Sequence, residues 1–160
     1  MKTNQLFRLA PVGFRLPCIV ESGTNIHHVD AECLPLMRWP DGRWCFAANS
    51  FMLELFRNGL ARLPRGGTLG TYAAYLSHLI RFCHAAKTDF HELTDQQFTL
   101  FMRTLHGERQ VGDELARVRE ASTTVAIGHL CLKFLEHVGE LSGQPDFVGP
   151  LGAIRAKRRT

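Results

Sequence analysis

The sequence contains no run of about 18 apolar residues, so no membrane-spanning helix is expected. Its opening, MKTNQLFRLAPVGFRLP, lacks the continuous apolar segment of a secretory leader, and no signal peptide is expected. Cysteine is sparse and irregular. Cys18, Cys33, Cys45, Cys83 and Cys131 are odd in number and form no CxxC pair, which fits reduced thiols in the cytoplasm better than a disulfide framework. His27, His28, Cys33 and Cys45 come nearest to a metal-ligand set, but their spacing matches no common zinc pattern. They read as surface histidines and buried thiols, and neither a metal nor a cofactor is expected. Net charge is small, +4 from 19 basic and 15 acidic residues. Arg155, Lys157, Arg158 and Arg159 carry all of that excess, so a neutral body ends in a basic tail. Such a tail can touch phosphates or simply be solvated.

Enzyme signatures are also scarce. RGGTLG has glycines but neither the P-loop lysine nor GxGxxG spacing. HELTD is not HExxH, and no Ser, His and Asp order suggests a triad. There are only two tyrosines, Tyr72 and Tyr75, and both precede the tetrapeptide HLIR, His78 to Arg81. A tyrosine hydroxyl can attack a phosphodiester while arginines and a histidine stabilise the charged transition state. In tyrosine recombinases the nucleophile follows the HxxR, and no tyrosine follows Tyr75 here. HLIR therefore reads as a helix face, and no catalytic residue is assigned.

What is present is a chain of 160 residues with 45% hydrophobic content, enough for one domain with a sizeable core. Residues 1–46 hold Pro11, Pro17, Pro35 and Pro40, which argue against long helices. WPDGRW is a turn signal; Leu36, Met37 and Trp39 precede it and Trp44, Cys45 and Phe46 follow, so a small β-hairpin is expected. RLPCIVESG suggests a further short strand. The first 46 residues are thus an N-terminal arm or small sheet.

From residue 47 the apolar period becomes helical. ANSFMLELFRNGLARL starts with Asn49 or Ser50 as a cap, carries Phe51, Met52, Leu55 and Phe56, and can stop at Gly59. TLGTYAAYLSHLIRFC follows, with Thr68 as N-cap and Leu69, Tyr72, Leu76, Leu79, Ile80 and Cys83 on one face. Gly70, Thr71, Ala74, Tyr75, Ser77, His78 and Arg81 face elsewhere. LTDQQFTLFMRTLHG has a capping box, Thr94 with Gln97, and a Leu93–Phe98 staple. ERQVGDELARVREA keeps Val111, Leu115 and Val118 at helical spacing and suggests a short surface helix. ASTTVAIGHLCLKFLEHVGEL, capped by Ser122 or Thr123, has a wide apolar face of Ile127, Leu130, Cys131, Phe134, Val138 and Leu141. Residues 142–160 combine Gly, Pro and basic residues and suggest a linker leaving the helices. The class is mainly α, a compact bundle of four or five helices over 47–141.

The ordered segments resemble the N-terminal core-binding domain of tyrosine recombinases, or phage integrases. TLGTYAAYLSHLIRFC is similar to that family's TLxxYxxxLxxF pattern through Thr68, Leu69, Tyr72, Leu76 and Leu79, with leucine where phenylalanine is common. DFHELTDQQFTLFMRTL resembles its next element, STTVAIGHLCLKFLEHV its later helix, ANSFMLELFRNGL its opening helix, and PDFVGPLGAIRAKRR the linker to its catalytic domain. The resemblance covers roughly residues 47–160. It implies a SAM-like bundle that closes over one face of double-stranded DNA, with the catalytic set in a second domain that this sequence lacks. Self-association on DNA is also implied. The implied contact residues are Thr68, Thr71, Tyr75, His78 and Arg81 on the second helix, and Ser122, Thr123, Thr124, His129 and Lys133 on the last. Arg155, Lys157, Arg158 and Arg159 in the linker join them. Tyr72 is expected in the core. Two alternatives remain: a protein–protein interaction module using Trp39, Trp44 and Phe46, and a self-contained nicking enzyme using Tyr75, His78 and Arg81.

Overall fold

The computed structural model describes residues 5–19, 26–59, 67–110, 113–117 and 119–155. The chain divides into two compact units, Met1–Ala74 and Tyr75–Thr160. The division falls inside a helix rather than at the change of composition near residue 46.

The N-terminal unit is built on an antiparallel ribbon. β1 (Phe7–Leu9) pairs with β4 (Pro35–Met37), and β2 (Arg15–Ile19) pairs with β3 (Ile26–Asp30). Between the two pairs the ribbon breaks where Pro11 has no N–H to give. Gly13 and Cys33 both adopt positive φ there, +84° and +63°. Backbone bonds from Ala10 to Leu34, Cys33 to Ala10 and Ala31 to Phe14 carry the strands across the break. Leu6, Ala10, Ala31, Leu34 and Met37 are buried, whereas every residue of β3 is exposed.

The WPDGRW turn forms as expected: the Gly42 N–H donates to the Trp39 carbonyl and the Trp39 N–H to the Arg43 carbonyl. The hairpin around it is smaller than expected, a single bridge between Arg38 and Trp44. Leu36 and Met37 instead find their partners in β1, Arg8 and Phe7, 28 and 30 positions earlier. α1 (Phe46–Arg57) then follows directly, and its N-cap is Cys45 without a side-chain bond. Asn49 is therefore not the cap. It lies one turn inside α1, where its Oδ1 accepts from the Met37 N–H at 2.7 Å and its Nδ2 donates to the Met37 carbonyl at 3.0 Å. An amide is the side chain that can do both, and here it stands in for a neighbouring strand. Phe51, Met52 and Leu55 are buried, Phe56 half-buried, and Gly59 closes the helix at φ +81°.

α2 spans Gly67–Ala86, so Thr68 is inside the first turn rather than its cap. Leu69, Leu76, Leu79, Ile80 and Cys83 are fully buried as expected, and Tyr72 is half-buried. Ala73 and Ser77 extend the buried face, so Ser77 does not face outward. They fall at i, i+3, i+4 and i+7 with Leu76 and Ile80, which widens the stripe.

In the C-terminal unit a 3-10 turn at Phe90–Glu92 leads into α3 (Asp95–Gly107). Both carry complete capping boxes, Asp89 with Glu92 and Thr94 with Gln97. Leu93 and Phe98 are both buried. The stretch expected to be a short surface helix is a hairpin, β5 (Arg109–Gln110) paired with β6 (Asp113–Arg117). Glycine at position 112 weakens a helix there, and pairing Gln110 with Asp113 leaves two sequence positions between them. Val111 and Val118 lie outside the described residues.

α4 (Ala121–Leu141) is buried on more than one side. Ile127, Leu130, Cys131, Phe134 and Val138 are in the core as expected, and Leu132 and Leu135 join them; Leu141 is exposed. Phe90 meets Phe134 edge-on at 4.9 Å. Residues 142–155 fold back rather than lead away. Phe147 and Ile154 are buried, the Ile154 N–H donates to the Phe147 carbonyl, and the Arg155 N–H reaches the Asp95 carboxylate at 2.8 Å. No helix of the described residues is long and apolar enough to cross a membrane.

Two stability predictions follow from these contacts. Asn49→Ala leaves the Met37 N–H without its partner, while the Met37 carbonyl keeps the Cys45 N–H, and costs about 1–3 kcal/mol in urea unfolding. Asn49→Asp, which keeps an acceptor but no donor, falls in between. Gly139→Ala puts a Cβ 2.6 Å from the Gln144 carbonyl and 2.7 Å from the Phe147 Cβ, and costs about 1–3 kcal/mol. Gly128→Ala meets only the flexible end of Met102 at 2.7 Å and costs less in the same assay.

Candidate nucleic-acid interface

On α2, Thr68 and Thr71 are exposed, and the Thr71 hydroxyl folds back to donate to the Gly67 carbonyl at 3.3 Å. Tyr75, His78 and Arg81 are half-buried rather than open. His78, Arg81 and Phe82 line an open groove of about 220 Å³ with Phe101, Thr104 and Leu105 of α3 and Glu108 just beyond it. Tyr75 does not line it, so the groove collects His78 and Arg81 but not the tyrosine.

Arg119 bonds to two residues of this lining. Its guanidinium donates to the Leu105 carbonyl at 2.7 Å and to Glu108 at 2.8 Å. That carbonyl is one of the last in α3, where the helix leaves acceptors without partners and a cation suits the dipole. The Arg119 side chain is only 11% exposed. Burial, and then the Arg119 charge, hold His78 below its ordinary value of 6.5; Glu108 opposes this and Arg81 adds to it. Burial also lowers Arg81, which stays charged at neutral pH. At neutral pH the groove therefore presents a neutral imidazole, the Arg81 cation and a largely cancelled Arg119–Glu108 pair over an aromatic floor. It can hold an anionic oxygen, and no tyrosine lines it.

At α4 the N-cap is Glu120, again without a side-chain bond, so neither Ser122 nor Thr123 is the cap. Ser122 and Lys133 are exposed, and Thr123 and His129 are half-buried. Thr124 is buried, and its hydroxyl donates to the Glu120 carbonyl at 3.4 Å. It shares the inward stripe of Ile127, Gly128 and Cys131, which removes it from the contact set. Arg155 is exposed, with its backbone tied to Asp95. Lys157, Arg158 and Arg159 lie outside the described residues.

The Arg119 clamp was not legible in the sequence, because its partners are 11 and 14 positions away. The Asp89–Glu92 box was legible, since it has the same i, i+3 form as Thr94–Gln97. No known protein family, curated protein or solved structure matches the chain.

The lowered His78 value has a sign. Below pH 6.5 the unfolded chain takes up the proton before the folded one, so His78 makes stability fall as pH drops from there toward its folded value. His78→Gln removes that share. Urea unfolding at about pH 7.5 and about pH 5.5 is expected to show a smaller acid loss in the variant than in the parent.

Proposed function

We propose that the chain is the DNA-binding N-terminal part of a site-specific tyrosine recombinase or phage integrase. On this reading a SAM-like helical domain, acting in the cytoplasm, closes on double-stranded DNA. The breaking and rejoining belong to a catalytic domain absent from this sequence. The observation that supports it is the coincidence of pattern and helix. The stretch resembling the family's TLxxYxxxL motif falls on α2, LTDQQFTLFMRTL on α3 and STTVAIGHLCLKFLEHV on α4, in the family's order.

The contact set is narrower than the sequence suggests. Thr68, Thr71, Ser122 and Lys133 are the exposed candidates, with Thr123 and His129 half-covered. Tyr75 is half-covered too, and His78 and Arg81 act from within the groove. Hydroxyls and helix starts position phosphates, and Lys133 and Arg81 supply charge. The basic tail joins this set at Arg155, which is exposed next to the buried Ile154. With a nearly neutral body, tight binding depends on the catalytic domain and on self-association along DNA.

Fluorescence anisotropy with labelled duplex tests the proposal. Binding is expected to be weak and to fall steeply with salt, as counterions released by phosphate contacts compete. Lys133→Gln and Arg81→Gln are each expected to reduce the salt slope by about one. Absence of duplex binding at low salt, together with a stable oligomer by light scattering, would instead identify a protein–protein interaction module. Nicking of supercoiled DNA that Tyr75→Phe abolishes would make the chain an enzyme in its own right.

A further inference from the structure

The N-terminal unit carries a second surface that the recombinase reading does not use. Arg8 pairs with Leu36 across β1 and β4, so their side chains share one face of the ribbon. Arg38 is two positions beyond Leu36 and lies on that same face, bridged to Trp44. Arg8, Leu36, Arg38 and Trp44 accordingly line one depression of about 200 Å³, together with Gln5 and Leu6. No acidic residue lines it, and neither arginine makes an ion pair among the described residues.

Trp44 is the centre of this surface. The Arg38 guanidinium lies 4.2 Å from its ring centroid, yet the residue remains 54% exposed. One side of the indole is thus polarised by a cation while much of the residue stays open to solvent. Phe46, two positions on at the start of α1, is 78% exposed. Large rings are costly to leave in water, and two so close in sequence, beside arginines that make no ion pair among the described residues, call for a planar anionic partner.

We propose that this face binds single-stranded nucleic acid, with Arg8 and Arg38 on successive phosphates and an unpaired base stacked on Trp44. The strand must be single because a base in a duplex has both faces covered by its neighbours. Arginines that track a backbone and rings that stack bases are the two parts such a site needs. An acidic peptide would use the arginines but leave the indole without a stacking partner.

The test uses the full chain in a Trp39→Phe background, which leaves Trp44 as the one indole reporter. A single-stranded oligothymidylate is expected to quench Trp44 fluorescence at low salt. By anisotropy of a labelled strand, Trp44→Leu should weaken binding roughly ten-fold, and Trp44→Phe should recover much of it. Arg8→Gln and Arg38→Gln should each weaken binding and flatten its salt dependence. Equal quenching by a duplex of the same length, by polyglutamate or by anionic vesicles would overturn the proposal. So would an affinity unchanged in Trp44→Leu. Lys133→Gln should leave single-strand binding intact, and Arg8→Gln should leave duplex binding intact, so failure here and failure of the recombinase reading are separable.

Discussion

The C-terminal unit depends on how closely other segments approach α4. Two glycines set that distance. Gly128 admits the end of Met102 from α3, and Gly139 admits Phe147 and the Gln144 carbonyl from the returning loop. Phe90 reaches the same helix through Phe134. With α4 buried on several sides, its polar residues are left only a narrow outer strip, where Ser122 and Lys133 lie. The packing therefore decides which hydroxyls can meet a ligand. Thr124 is on the wrong side of that decision, and Ser122 on the right one.

Hydrogen bonding sets the comparable constraint in the N-terminal unit. A two-stranded ribbon has little core of its own, and its edges carry unpaired backbone groups. Asn49 satisfies one such pair at Met37 and joins α1 to β4. With that edge closed, the alternation along β4 turns Leu36 and Arg38 to the face shared with Arg8. The Arg38–Trp44 stack thus follows from strand register and from a turn that brings the indole back beside the strand.

Charge is arranged differently in the two places. Around His78, Arg119 is engaged by a helix-end carbonyl and by Glu108 and burial keeps the imidazole neutral, so Arg81 carries the charge of the groove. Around Trp44 the arginines face water without a carboxylate among the lining residues. A partly buried, compensated pair such as Arg119–Glu108 contributes mainly to the fold, whereas exposed cations beside an exposed ring are available to a ligand.

Local information alone determined the helical elements, because a stripe at helical period and a capping box act within a few residues. The Thr94–Gln97 box, the buried faces of α2 and α4 and the turn at Gly42 are all of this kind. Helix starts were less legible: Cys45 and Glu120 precede α1 and α4 with no side-chain bond to mark them. Position 112 shows a local conflict, since valine and leucine spacing favours a helix while glycine disfavours it, and cross-strand pairing settles the outcome. Only the tertiary structure decided that Leu36 and Met37 pair with β1, that Arg119 reaches back to α3, that Thr124 turns inward and that residues 142–155 return to the core. Each of these joins residues distant in sequence or depends on which side of an element is covered, and no local periodicity encodes that.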